Sequence, residues 1–247
     1  MTSETSHTSI INGQHLSYRI AGSGLPLVLL HGYGVSGYLW QRALPYLTQQ
    51  RQVFVVDLPG HGRSKLTQPW RLREVAPLLA IWLRQMKLPP VALVGHSMGG
   101  AIALHLTAHA PELVERLVLV DAAGLPFRVP LPVLAARSAR SMFQPGGGGY
   151  PWPLVRDILR WPRLRLLWQA AQQLKRSDFS TELATITIPT LIIWGEHDPL
   201  IPLEVGKALS MALPHAAFIT LPNCGHRPPL AQPELFSRFV LEFLQGF

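Results

Sequence analysis

Cysteine is nearly absent from these 247 residues: Cys224 stands alone. A lone thiol excludes an intrachain disulfide framework and the small cystine-stapled folds of oxidising compartments. No uninterrupted apolar run approaches the roughly 20 residues of a membrane-spanning helix, which argues against an integral membrane protein. Charged residues are also sparse, 15% of the chain against 48% hydrophobic ones. That balance suits a compact globule and excludes a disordered or fibrous chain. The opening stretch MTSETSHTSI is polar and lacks the basic-then-apolar pattern of a secretory signal. These scarcities point to the cytoplasm.

Acidic residues are the remaining shortage, 14 against 22 lysines and arginines, for a formal net charge of +8. The imbalance is local. Nine basic residues, from Arg128 to Arg176, lie between Leu125 and Ser180, where only Asp157 and Asp178 oppose them. The same segment holds seven prolines and the run GGGGY, and it contains nothing that reads as a strand. It is longer than an ordinary loop and reads as an inserted helical segment, with the glycines as a hinge. Its arginines are either solvated on exposed helix faces or functional. As functional groups they would steer anionic substrates or touch acidic lipid headgroups, helped by Trp152, Trp161 and Trp168. No recognition motif accompanies the charge, so nucleic acid is not an expected partner.

What is plentiful is strand–helix alternation. LPLVLLHG, QVFVVDLPG, VALVGHSMGG and RLVLVDAAG are Val- and Leu-rich runs that each end in glycine. Continuous apolar runs of this kind suit strands buried on both faces. The stretches between them, beginning at Val35, Trp70 and Met98, are long and periodic enough for helices. The alternation reads as a parallel sheet. Asn12-Gly13 between two short extended runs predicts an antiparallel hairpin at one edge. After residue 180 the pattern resumes with TLIIW, a helix near Leu203–Ala212, AFITL and a final helix from Leu230. The expectation is an α/β chain of one domain, 1–247, with residues 125–180 inserted as a basic helical lid.

Within VALVGHSMGG, Ser97 sits in the pattern Gly-His-Ser-Met-Gly between a strand and a helix. It reads either as a helix N-cap or as a nucleophile on a sharp strand-to-helix turn, where side chains at positions 95 and 99 would collide with backbone. A hydroxyl nucleophile needs a base, and the base needs an orienting carboxylate. Asp198 follows the run TLIIW and His226 follows AFITL, so both stand at strand ends beside Ser97. His105 and His109 lie four apart on the helix after Ser97, a zinc-chelating spacing. The Glu of His-Glu-x-x-His is missing and no third ligand is evident, so no metal is expected. Asp57 reads as a turn residue, and Cys224 as a buried filler.

From LPLVLLHGYG through DLPGHGRS, VGHSMGG and LVLVDAAG to WGEHDPLIP and NCGH, nearly the whole chain resembles the α/β-hydrolase family. The resemblance implies a mostly parallel eight-stranded sheet with helices on both faces and a helical cap after strand 6. It implies Ser97, Asp198 and His226 as catalytic residues, and the backbone N–H groups of Tyr33 and Met98 as an oxyanion hole. His31, Gly32, His96, Trp152 and Trp161 are the expected lining of the substrate site. Some relatives take the acid from the position of Asp121, which is the alternative to Asp198. Two departures stand out: Arg227 where a small or apolar residue is common, and Ala231 where Glu is frequent.

The expected activity is hydrolysis of small to medium carboxylic esters through an acyl-enzyme, with no metal or organic cofactor. C–C bond, lactone or thioester hydrolysis by the same residues is the first alternative. A hydrolase-fold receptor with little turnover is the second. The expected partner is a small-molecule ester, and peripheral membrane contact would run through the basic lid. Oligomeric state, acyl preference and stereoselectivity are not encoded in any motif.

Overall fold

The computed structural model describes residues 4–66, 71–126, 129–130, 132–133, 136–137, 172–173 and 178–246. The expected 125–180 lid therefore lies mostly outside the described residues, and Trp152, Trp161 and Trp168 lie wholly outside them. Its two ends are joined, because Phe179 donates its N–H to the Gly124 carbonyl at 3.0 Å. The intervening stretch thus leaves and re-enters at one point. Among the described residues, no helix is long and apolar enough to cross a membrane.

Eight strands form one sheet: β1 (Thr5–Ile11), β2 (Gln14–Ala21), β3 (Pro26–Leu30), β4 (Gln52–Asp57), β5 (Val91–His96), β6 (Val114–Val120), β7 (Thr190–Gly195) and β8 (Ala216–Leu221). Their order is β1-β2-β4-β3-β5-β6-β7-β8. β1 pairs antiparallel with β2, and β2 antiparallel with β4. Every later pairing is parallel. The β1–β2 hairpin turns at Asn12 and Gly13, with φ of 49° and 78°. Positive φ at both central residues matches the strand twist and is why Asn-Gly stands there.

The helices are α1 (Leu44–Leu47), α2 (Leu72–Met86), α3 (Met98–His109), α4 (Ser180–Leu183), α5 (Leu203–Ala212), α6 (Pro228–Ala231) and α7 (Pro233–Gln245). Strand side chains alternate between the two sheet faces. Val28, Leu30, Phe54, Val56, Leu93, Ile192 and Trp194 join one core with residues of α2, α3 and α5. Leu27, Leu29, Val53, Val55, Val94, Leu191 and Ile193 join a second core with Trp40, Leu47, Phe236 and Val240. The two-faced burial is the reason these strands are continuous apolar runs.

Two helices are shorter than their sequence pattern suggests. The stretch from Val35 forms only a 3-10 turn at Gly37–Trp40 and the single turn α1, because Pro45 offers no amide to the Gln41 carbonyl. The final helix is divided into α6 and α7 at Gln232 (φ −134°), the residue before Pro233, which proline pushes out of the helical region.

Winding reverses at β3. The chain moves from β3 to β4 in one direction, then crosses back past β3 to β5 and continues outward. At such a switch point the loops leaving adjacent parallel strands diverge and open a crevice at the C-terminal strand ends. The loops after β3 and β5 carry His31–Tyr33 and Ser97.

Candidate active site

Ser97 occupies the residue between β5 and α3, with φ of 53° and ψ of −115°. A non-glycine residue at positive φ outside the left-handed helical basin is strained and persists only where its surroundings hold it. They do so through its backbone. Ser97 N–H donates to the Val120 carbonyl at 2.9 Å, and the Ser97 carbonyl accepts from Gly100, Ala101 and Ala123 at 3.0, 3.3 and 3.0 Å. Its side chain makes no capping hydrogen bond to α3. The N-cap reading of Ser97 therefore fails, and the hydroxyl is not consumed by the helix.

The flanking glycines are steric requirements of this turn. A Cβ at Gly95 would come within 2.5 Å of the Gly99 carbonyl oxygen, and one at Gly99 would strike the Leu30 and His31 carbonyls. The loop after β3 passes beside the turn just as closely. A Cβ at Gly32 would sit 2.7 Å from His96 Nδ1 and 3.1 Å from Ser97 Cβ. Tyr33 follows on this loop. Met98 opens α3, so its N–H belongs to the first-turn amides that have no intrahelical acceptor.

Asp198 and His226 meet across two loops. His226 Nδ1 and Asp198 Oδ2 are 2.7 Å apart, and the Asp198 side chain is fully shielded from solvent. Asp198 Oδ1 accepts from the N–H groups of Leu200 at 2.7 Å and Ile201 at 3.2 Å. The carboxylate therefore collects three donors. The loops themselves are laced together: Glu196 N–H donates to Leu221 O, and His197 N–H to Cys224 O, at 3.0 and 2.8 Å. Gly195 permits this approach, since a Cβ there would lie 2.8 Å from Cys224 O and closer still to Gly225 O. With Nδ1 engaged by Asp198, Nε2 is the nitrogen His226 has left for chemistry.

Asp121 follows β6, is fully buried and has φ of 43°. Its Oδ1 accepts from Gly195 N–H at 2.7 Å; its Oδ2 has no hydrogen-bond partner among the described residues. Burial, and next the neighbouring Asp198 charge, push this carboxyl well above the usual carboxylate range. The fold thus favours the protonated form of Asp121. Burial and the same two carboxylates also push the Cys224 thiol up.

The histidines expected to line the site hold backbone. His31 is fully buried. Its Nε2 accepts from Leu58 N–H at 3.0 Å and its Nδ1 donates to Gly32 O at 2.7 Å, tying the loop after β3 to the loop after β4. His96 is 2% exposed and donates from Nε2 to the His226 carbonyl oxygen at 2.6 Å. Burial, then the His226 charge, keep its imidazole neutral by holding its pKa well below the ordinary value. Both rings thus have nitrogens committed to backbone partners, and Gly32 packs against His96 and Ser97. Polar atoms of His96, Asp121 and His226 lie within 4.8 Å of one another. Arg227 is buried rather than displayed, and Ala231 packs against the second core.

Asp57 is the turn residue its position suggests. Its two carboxylate oxygens accept from Gly37 N–H at 2.8 Å and Arg63 N–H at 2.9 Å. The holding role of His96, the lacing at Gly195 and the buried acid Asp121 carry no sequence signal beyond a strand-end position.

Residues 27–239 match the alpha/beta hydrolase family. Among curated proteins, the chain is 30% identical over 242 residues to a dihydrolipoyllysine-residue acetyltransferase component of the acetoin cleaving system from Pseudomonas putida. That alignment covers 90% of this chain, which spans 64% of the length of that relative. It is 28% identical over 268 residues to a pimeloyl-(acyl-carrier protein) methyl ester esterase of Vibrio atlanticus, covering 93% of this chain and 98% of that one. Among solved structures, an esterase from Exiguobacterium antarcticum superposes with a TM-score of 0.84 at 22% identity, covering 98% of this chain and all of that one. This last likeness is one of fold. A family match of this length, laid over the switch-point sheet and its strand-end loops, makes the chain a member of the alpha/beta hydrolase family.

Proposed function

We propose that the protein is a serine hydrolase cleaving carboxylic esters of small to medium size. The observation that carries this reading is the Ser97 turn, whose strained backbone holds a hydroxyl that makes no capping bond to α3; the Asp198–His226 hydrogen bond supplies the matching base and acid. Ser97 Oγ attacks the ester carbonyl carbon while His226 Nε2 takes its proton. Asp198 holds the imidazole in the required tautomer and stabilises the imidazolium. The N–H groups of Tyr33 and Met98 receive the negative charge that develops on the carbonyl oxygen, helped by the N-terminus of α3. Collapse expels the alcohol, protonated by His226, and leaves an acyl group on Ser97. Water then attacks the acyl carbon as His226 accepts its proton, releasing the carboxylic acid and restoring Ser97.

The relative named as a pimeloyl-(acyl-carrier protein) methyl ester esterase supports the ester class. The basic residues of the 125–180 segment would favour esters that carry negative charge. The test pairs a fluorophosphonate probe with peptide mapping, and turnover of p-nitrophenyl esters of increasing acyl length with turnover of a vinylogous diketone. Labelling of Ser97 together with ester turnover is expected. Turnover of the diketone with a negligible rate on every ester would replace ester cleavage by C–C cleavage. Tight ligand binding without turnover would make the protein a receptor.

A further inference from the structure

A second cluster of titratable side chains lies away from Ser97, between α3 and α4. His105 and His109 are four residues apart on α3 and so project from one face, with ring centroids 4.2 Å apart. Glu182 of α4, 77 residues along the chain from His105, places Oε2 2.9 Å from His105 Nδ1 and 4.0 Å from His109 Nδ1. One ligand atom from each of the three residues falls within 4.8 Å of the others. A tetrahedral zinc with bonds of about 2.0–2.1 Å separates its ligand atoms by roughly 3.3 Å. The two distances to Glu182 straddle that value. The third ligand missing from the sequence pattern is therefore supplied by the fold.

The surroundings suit a metal ligand set. Arg73 Nη1 holds the other carboxylate oxygen, Oε1, at 3.0 Å. Its guanidinium also reaches the Asp178 carbonyl at 3.2 Å and lies over the Phe179 ring. Glu182 is thereby aimed, with Oε2 toward the histidines; ligating carboxylates ordinarily carry such an outer partner. His105 is buried against Phe179, whereas the His109 side chain is 59% exposed and opens a path from solvent. His109 Nδ1 also donates to the His105 carbonyl at 3.0 Å. Coordination moves that proton to Nε2, and it requires neutral rings, so affinity falls in acid.

We propose that His105, His109 and Glu182 bind zinc or a similar divalent transition metal, with water in the fourth position. The metal would fasten α4, where the chain returns from the 125–180 segment, to α3, the helix that follows Ser97. The site stands roughly 12–18 Å along that helix from Ser97, so it does not depend on the reaction proposed there.

The experiment is calorimetric titration of chelator-treated protein with zinc chloride, alongside thermal unfolding with and without zinc. One zinc per chain and a raised Tm are expected. Loss of an outer-shell partner alone weakens metal sites about 10–100-fold, so His109→Ala and Glu182→Gln are each expected to weaken binding at least tenfold. His226→Ala is expected to leave binding unchanged. His109 is mostly exposed, so its variant should fold, and equal circular dichroism of the metal-free proteins checks this. Absence of saturable binding, unchanged affinity in His109→Ala, or loss of binding in His226→Ala would each overturn the proposal.

Discussion

His96 donates its Nε2 hydrogen to the carbonyl oxygen of His226 at 2.6 Å, so the residue just before Ser97 holds the backbone of the histidine loop. The ring of His96 also lies 4.8 Å from that of His226. One end of β5 therefore sets both the Ser97 turn and the seat of its proposed base. Replacing His96 with Phe keeps an aromatic ring and deletes the bond. The expected outcome is a fall in kcat on the order of 10²-fold with KM little changed, the signature of a displaced catalytic group. Steady-state kinetics and a melting curve for the same variant separate this from simple unfolding.

Two buried carboxyls lie near His226, and exchanging each for its amide tells them apart. Asp198→Asn removes the charge bonded to Nδ1 and is expected to lower kcat by about 10⁴-fold. Asp121→Asn keeps an acceptor for Gly195 N–H and is expected to cost less than about tenfold. Equal losses would mean that the acid has been assigned to the wrong strand end.

Asp121 also carries a stability prediction with a definite sign. Its folded pKa is raised above the ordinary value of 3.8, so the folded state keeps a proton that the unfolded state releases. Its contribution is fully present below that ordinary value and is lost as pH rises toward the folded value. Asn does not titrate. The Tm of Asp121→Asn relative to the parent is expected to become more favourable from about pH 4 upward, a trend that melts across a pH series would read directly. A difference independent of pH would contradict a neutral buried Asp121.

At Gly99 an added methyl meets the backbone carbonyls of Leu30 and His31, which cannot swing aside as a side chain would. Gly99→Ala is expected to cost about 1–3 kcal/mol and to slow phosphonate labelling of Ser97. Gly34 has a φ of 69° but open space around it, so Gly34→Ala should carry only conformational strain of about 1–2 kcal/mol. Denaturant unfolding and labelling rates on both variants distinguish crowding at the turn from strain in the loop.

If the basic 125–180 segment steers anionic esters, kcat/KM for those substrates falls as salt is raised while neutral esters stay level. An equal response for both classes would leave those arginines as solvated surface.

The sequence by itself was sufficient for what is local. A strand buried on both faces must be a continuous apolar run, so Leu27–Leu30, Val91–Val94 and Leu191–Trp194 announce themselves. A serine turn between packed backbones needs Gly95 and Gly99, and Asn12-Gly13 is a hairpin written in two residues. The Gly-His-Ser-Met-Gly pattern nominated Ser97, and strand-end position together with the family resemblance nominated Asp198 and His226. Tertiary structure decided what depends on loops meeting. Asp121 and Asp198 both follow strands, and only the lacing at Gly195 and Cys224 brings Asp198 rather than Asp121 to Nδ1 of His226. His31 and His96, which look like lining residues in a linear motif, turn their rings to backbone carbonyls and amides. Glu182 reaches His105 only because the chain returns at Phe179 after the 125–180 excursion. The physical reason is one of range. Periodicity and turn chemistry follow from backbone geometry over a few residues, whereas the partner of a buried polar atom is chosen by the whole set of packed segments around it.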